Sequence, residues 1–511
     1  MTALVIHGHF YQPPRENPWT GEVEREAGAE PYHDWNERIH AECYGPNAFA
    51  HIVTPNGIIQ RTVSNYAKIS FNFGPTLLSW LERHHPRTYE RILEADKISV
   101  ANLNGHGNAI AQAYNHAILP LCNERDKLTQ VLWGMADFRY RFGREPEALW
   151  LPETACNDET LSLLIEQGLR FVILAPGQAR AFRLPGETEW RQPLNGDIDT
   201  SGVYRYFHRD GSGRSIAIFL YNGPLARAIA FEKTLVSSQA LVAHFKLAAM
   251  AGGSLVNAAT DGETYGHHFK FGDLCLAHAL LMEAPDAGFT ITNYGEYLDL
   301  YPPEVEVEIS NGPDGEGTSW SCAHGVGRWI RNCGCASEGG WSQQWRGPLR
   351  AALNFLRDQA AWEFEALGSE LFVEPWTTRN DYIQLVLDNG RSREEFLRKH
   401  RKRDLSPADE ACALTLLEIQ RNSMLMFTSC GWFFAEVSGI EARQVMKYAA
   451  RVIELMDELG MPSPRSHFLE ILAEGRSNLP EMGTAADVYL RFAEPPAPSA
   501  PGVADREATL S

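Results

Sequence analysis

The chain has 511 residues, enough for roughly two to four domains or for one large α/β barrel with an added domain. Hydrophobic residues make up 44% of it, a normal share for a packed core. The formal net charge of −19 argues against nucleic-acid and anionic-membrane partners, which need basic patches, and favours a neutral or cationic ligand over a highly phosphorylated one.

No apolar run approaches the ~18 residues of a membrane span. The start, Met1-Thr2-Ala3-Leu4-Val5-Ile6-His7, lacks a basic leader and goes straight into a strand. With nine Cys, an odd number, the expectation is a cytoplasmic protein with reduced thiols. Cys322, Cys333 and Cys335 read as structural thiols, because their spacing is not that of a usual zinc knuckle.

In chain order, residues 3–6 predict a buried strand that ends in His7-Gly8-His9-Phe10-Tyr11-Gln12. Two His two apart on a strand point the same way, and Pro13-Pro14 force a loop after them. Further strands are expected over 69–73, 98–102 and 147–151, the second running into Gly105-His106-Gly107-Asn108 and the third into Pro152-Glu153. A helix is expected over 126–141, strands over 171–174, 203–208 and 215–221, and helices over 225–235 and 238–250. Residues 253–258 form a last short buried strand, ending in Ala259-Thr260-Asp261-Gly262-Glu263-Thr264-Tyr265-Gly266-His267-His268. Strands that alternate with helices imply parallel pairing and right-handed crossovers. A (β/α) barrel is the first choice over an open sheet, with the polar clusters on the rim formed by the strand C-termini.

After about residue 300 the texture changes. The 304–309 alternation of Glu with Val and Ile suggests a linker or edge strand, followed by a Gly/Trp/Cys-rich loop to Trp345. Helical periodicity then covers 349–367, 381–388, 393–400, 407–429 and 441–459. The expected organisation is a catalytic (β/α) domain over 1–300, an active-site loop region over 301–345, a helical domain over 346–492 and a disordered tail over 493–511, where Pro and Ala cannot build a core.

Two carboxylates at the ends of separate strands carry the chemistry: Glu153 in Trp-Leu-Pro-Glu and Asp261 in Asp-Gly-Glu-Thr-Tyr-Gly-His. One ionised and one protonated carboxyl group suffice to cleave a glycosidic bond. Isolated acids of this kind more often cap helices or form ion pairs, so either motif alone is weak. Together and in this order they resemble glycoside hydrolase family 57.

The resemblance covers roughly residues 1–345. It implies an incomplete (β/α)7 barrel followed by a helical domain that completes the cleft. It implies a retaining mechanism on α-glucans through a covalent glycosyl-enzyme intermediate, with no required metal or cofactor. On the family pattern Glu153 is the nucleophile and Asp261 the general acid/base. The expected substrate contacts are His7, His9 and Gln12 from the first region, His106 from a divergent second region, Trp150 beside the nucleophile, and Glu263 and His267 beside the acid. Trp320, His324, Arg328 and Trp329 complete the set from a Trp/His-bearing segment; His268 has no assigned role.

The substrate implied is an α-glucan or maltooligosaccharide, with amylase-like hydrolysis of α-1,4 bonds as the leading reading and 4-α-glucanotransferase or branching activity as its alternative. Two readings from other classes stand beside it. One is a metal-dependent mannosidase- or deacetylase-like enzyme using His7, His9, Asp261, His267 and His268 as ligands. The other is a non-catalytic glucan-binding protein with a decayed site.

Overall fold

The computed structural model describes residues 2–54, 56–194, 197–336 and 339–494. Its organising feature is a run of parallel strands: β1 (Thr2–Phe10), β2 (Ser70–Phe73), β3 (Ala111–Gln112), β4 (Leu149–Trp150), β5 (Phe171–Leu174), β6 (Ser215–Leu220) and β7 (Leu255–Asp261). β1 lies between β7 and β2, with His9 opposite Asp261 on one side and Asn72 on the other. A bridge from Phe71 to Ala109 leads to β3, which pairs with β4; a bridge from Ala148 to Phe171 leads to β5, which pairs with β6. Just past β6, the Asn222 N–H donates to the Asn257 carbonyl of β7 at 2.9 Å. The fold is mixed α/β with a helical C-terminal region.

The apolar starts of β1 and β7 are almost fully buried, because helices cover the parallel array from outside. The polar residues that follow them emerge together at the C-terminal edge, since parallel strands end on the same side.

Two expectations are corrected. Residues 98–102 are not a strand but the last turns of the helix Pro86–Asn102. Tyr89, Ile92, Ala95, Asp96 and Ser99 bury one face at helical spacing and leave Ile98 37% exposed, so packing overrides the β-branched propensity of Ile98 and Val100. Residues 305–309 are not an edge. Val305–Ile309 lies inside a second sheet, between Val203–Phe207 and Ala179–Arg183. Its outward glutamates form ion pairs, Glu306 with Arg183 and Glu308 with Arg180 and Arg209.

The C-terminal region is built on the helices Arg346–Leu371, Pro407–Leu425 and Ile440–Glu458. The predicted helix over 381–388 is the shorter Ile383–Leu387, preceded by a separate helix, Pro375–Asp381. Trp329, Trp345 and Trp432 are fully buried in the core of this region and tie the preceding loop to it. Of the tail expected over 493–511, residues 495–511 lie outside the described residues.

Candidate active site

Glu153 follows β4 in a short 3-10 turn and has φ 59° and ψ 19°, with Thr154 also at positive φ. A left-handed conformation is uncommon for a non-glycine residue and persists only where the surroundings hold it. Here the surroundings come from the distant loop. Trp320 Nε1 donates to Glu153 Oε2 at 2.9 Å, Ser321 Oγ donates to the same oxygen at 2.6 Å, and the Trp320 backbone N–H donates to the Glu153 carbonyl at 3.0 Å. Burial pushes the Glu153 pKa up, while those two side-chain donors and the Arg328 charge work in the opposite sense and stabilise the carboxylate.

Asp261 ends β7. Its side chain is solvent-accessible, but protein atoms surround it on most sides. That burial, followed by the charge of the nearby Glu153, pushes its pKa up to about 7. Glu153 has hydrogen-bond donors on its carboxylate and a guanidinium nearby, whereas both causes acting on Asp261 favour the protonated form. The pair is therefore electrostatically asymmetric, with Asp261 the better proton holder.

Between the two carboxylates lies a stack of neutral rings on β1. His7 and His9 both lie over the Trp150 indole with centroids 4.9 Å away. Asn72 on β2 bridges them: its Oδ1 is 3.1 Å from His7 Nε2, and its Nδ2 is 2.9 Å from His9 Nδ1. Gln112 on β3 fixes Asn72 through Oε1 at 2.8 Å, and His9 Nε2 lies 3.0 Å from His116 Nε2. Burial lowers the pKa of His7 and of His9 to about 3 and that of His116 well below its usual value, so all three are neutral hydrogen-bonding groups.

Glu263 is buried and accepts from the Tyr11 backbone N–H at 3.1 Å and the Tyr44 hydroxyl at 2.5 Å. Burial, then the Asp261 charge, raises its pKa to about 8. The helical region closes the site through Thr428 and Ser429: Tyr11 Oη is 2.8 Å from Thr428 Oγ1, and His116 Nδ1 is 2.6 Å from Ser429 Oγ. Gly262, next to Asp261, has no room for a side chain, since a Cβ would come within 2.3 Å of the Phe10 ring.

The structure thus brings together Glu153, Asp261, His7, His9, Trp150, Glu263 and Trp320. Gln12 lies one step back, accepting from Arg15 Nη2 at 3.1 Å. Arg328 is also behind the site: it donates to the Ser321 carbonyl at 3.1 Å and the Phe433 carbonyl at 2.9 Å.

Four expected residues are elsewhere. His106 bonds to Glu147 and Asp299, each at 3.0 Å, at the N-terminal end of the strands. With 98–102 helical, the loop carrying His106 leads into β3 rather than out of a strand. His267 pairs with Glu42. Trp329 is fully buried and donates to the Ser429 carbonyl at 3.1 Å, which makes it a packing residue. His324 faces Cys335, with Nδ1 3.5 Å from Sγ.

Asn72, Gln112, His116, Tyr11, Tyr44 and Ser321 were not anticipated. β3 and β4 are two residues long, too short for any periodicity, so only the polar run Gln112-Ala113-Tyr114-Asn115-His116 after an apolar stretch could have signalled the third strand. The five residues considered as a metal set do not converge: among the described residues, neither cluster of metal-competent atoms includes His7, His9, Asp261, His267 or His268. A cavity of about 750 Å³ lies between the parallel array and the helical region, lined by Tyr114, Tyr140, Tyr382 and Arg421 among others; neither Glu153 nor Asp261 lines it.

Comparison with known proteins agrees with this architecture. A model described as a domain of unknown function (DUF3536) matches residues 341–511. An alpha-amylase of Pyrococcus horikoshii is 22% identical over 259 residues, 50% of this chain and 37% of the relative. Alpha-amylase 1 of Dictyoglomus thermophilum is 26% identical over 106 residues, 21% of this chain and 15% of the relative, so the chain spans well under half the length of either. Among solved structures, an exo-type maltose-forming amylase from Pyrococcus sp. ST04 is similar with a TM-score of 0.67 and 15% identity, covering 96% of this chain and 91% of that one. A branching enzyme from Pyrococcus horikoshii is similar with a TM-score of 0.54 and 14% identity, covering 98% of each. The family model for glycosyl hydrolase family 57 matches residues 3–310, more than half of the chain, and the chain belongs to that family.

Proposed function

We propose that the chain is a retaining α-glucan-active glycosidase, with Glu153 as nucleophile and Asp261 as general acid/base, on a parallel array corresponding to an incomplete (β/α)7 barrel. The observation that carries this reading is the asymmetry of the two carboxyl groups at one strand edge. Glu153 is held through Oε2 by Trp320 and Ser321, which leaves its other oxygen, Oε1, as the atom to attack the anomeric carbon. Asp261, with a pKa near 7, holds a proton for the leaving oxygen.

In the first half-reaction Glu153 forms an ester with the sugar as Asp261 protonates the departing hydroxyl. In the second, ionised Asp261 removes a proton from the acceptor, which displaces Glu153. The neutral His7, His9 and His116 have both ring nitrogens bonded within the protein, to Ser70, Asn72, one another and Ser429, so they brace the strand edge under the two carboxylates without introducing charge, and Trp320 offers an indole beside the nucleophile.

Hydrolysis of α-1,4 bonds is the leading activity. Glucan transfer shares the same intermediate and differs only in the acceptor, and the similar solved structures include both amylases and a branching enzyme. Incubation with maltooligosaccharides separates the two, since hydrolysis gives only shorter sugars and transfer gives longer or branched ones. If Glu153→Gln and Asp261→Asn keep wild-type turnover, the assignment of roles fails.

A further inference from the structure

The loop between Ser310 and Trp345 carries both side-chain donors to Glu153, yet its only regular element among the described residues is the 3-10 turn Gly327–Trp329. We propose that this loop is closed by a tetrahedral zinc ion bound by the sulfurs of Cys322, Cys333 and Cys335 and by Nδ1 of His324. This revises the expectation of inert thiols, and it gives His324 a ligand role in place of a substrate contact.

The geometry carries the assignment. The four ligand atoms lie within 4.8 Å of one another. Cys322 Sγ is 3.9 Å from Cys333 Sγ and 3.8 Å from Cys335 Sγ, and Cys335 Sγ is 3.5 Å from His324 Nδ1. Zinc with Zn–S near 2.3 Å and Zn–N near 2.0–2.1 Å at the tetrahedral angle requires sulfurs ~3.8 Å apart and sulfur and nitrogen ~3.6 Å apart. The sulfurs stand too far apart for a disulfide, which needs about 2.05 Å. Four protein ligands leave no open position, which marks a structural rather than a catalytic site. The sequence form is C-x-H followed by C-x-C, and the His in the first half is what a search for Cys pairs alone overlooks.

Charge supplies a second, independent argument. Arg346 is fully buried, and among the described residues it has no carboxylate partner; it donates to the Cys335 carbonyl at 3.0 Å and points Nη1 at Cys333 Sγ at 4.0 Å. A buried guanidinium needs a counter-charge. Zinc with three thiolates and a neutral imidazole carries one net negative charge, directly beside it. Each thiol gives up its proton on binding, so loading is favoured at higher pH.

The site's first ligand, Cys322, immediately follows Trp320 and Ser321, so the ion would fix the backbone that aims both donors at Glu153. That consequence rests on Glu153 being the nucleophile; the presence of the metal does not.

The full-length chain, purified without chelators or metal-affinity resin, is to be analysed for metal by mass spectrometry, together with the double variant C333S/C335S and the control C412S in the distant helix Pro407–Leu425. About one zinc per chain is expected in the wild type and in C412S, with loss in the double variant. Exchange of the wild type with Co²⁺ needs no variant and keeps the test decisive if C333S/C335S does not fold: thiolate-to-cobalt charge-transfer bands and strong tetrahedral d–d absorption are expected. Equal zinc in wild type and folded double variant, iron in place of zinc, or a wild type that neither retains zinc nor gives the cobalt bands would overturn the proposal. A zinc-loaded chain inactive on every α-glucan would instead overturn the functional reading and leave the metal site standing.

Discussion

Trp320 and Glu153 are joined twice: indole Nε1 to carboxylate Oε2 at 2.9 Å, and backbone N–H to the Glu153 carbonyl at 3.0 Å. The backbone bond holds Glu153 in its left-handed turn, and the side-chain bond, with Ser321, stabilises its anion. Hydrogen bonds to a charged group contribute about 1.5–3 kcal/mol, so Trp320→Phe and Ser321→Ala should each lower kcat about 10- to 100-fold on a maltooligosaccharide. Both should also move the acidic limb of the pH–rate profile upward, since the Glu153 anion loses a stabilising donor; an unmoved acidic limb would contradict that role.

As the proposed general acid, Asp261 should set the opposite limb. A general acid must be protonated, so kcat/KM should fall as pH rises through about 7, and Asp261→Asn should abolish that limb along with most activity on unactivated glucans. Stability follows the same sign. The folded pKa lies above the unfolded value of about 3.9, so the folded state binds the proton more tightly, and stability contributed by this group is lost between about pH 4 and pH 7. Denaturant melts of D261N should therefore gain on wild type at pH 8 relative to pH 4; a difference independent of pH would contradict the raised pKa.

Asn72 is the hub of the ring stack, bonded to His7, His9 and Gln112. Asn72→Leu keeps the volume but leaves buried polar atoms without partners, at about 1–3 kcal/mol for each unsatisfied group. A lower denaturation midpoint with unchanged m-value, and a raised KM from loosened histidines, are the expected results.

Gly134 lies inside the helix Glu124–Phe142, where Ala is ordinarily favourable. Here a Cβ would come within 2.0 Å of the Gln112 carbonyl oxygen on β3. Gly134→Ala should destabilise by about 1–3 kcal/mol instead of stabilising, and it should disturb the Gln112–Asn72 pair. Calorimetric melting of the variant checks this: a raised midpoint would mean the helix and strand can part at no cost.

How much of this was legible in the sequence depends on element length. β1 and β7 are long apolar runs ending in dense polar clusters, so His7, His9 and Asp261 could be placed on one rim before any coordinates. Glu153 could be paired with Asp261 through family resemblance, and Trp320 placed near them as a substrate contact, but not its role as a donor to Glu153 nor that of Ser321: the two arrive from 167 and 168 residues away, and no local pattern encodes such a contact. His116 and Gln112 were hidden by a two-residue strand. Residues 98–102 misled because Ile98 and Val100 read as β-branched strand positions when the helix face that matters is set by Ile92, Ala95 and Ser99. Trp329 misled because a Trp in a glycine-rich loop reads as a sugar platform, when this one anchors the loop in the helical core.

The central claim is that Glu153 becomes covalently bonded to the sugar. Its most direct test is peptide mapping by mass spectrometry of D261N incubated with an α-maltosyl fluoride, whose leaving group needs no acid, so that the intermediate forms but is resolved slowly. The account predicts a maltosyl ester on the peptide containing Glu153, at that residue. An ester on a different carboxylate, or turnover with inverted anomeric configuration and no adduct, would contradict it.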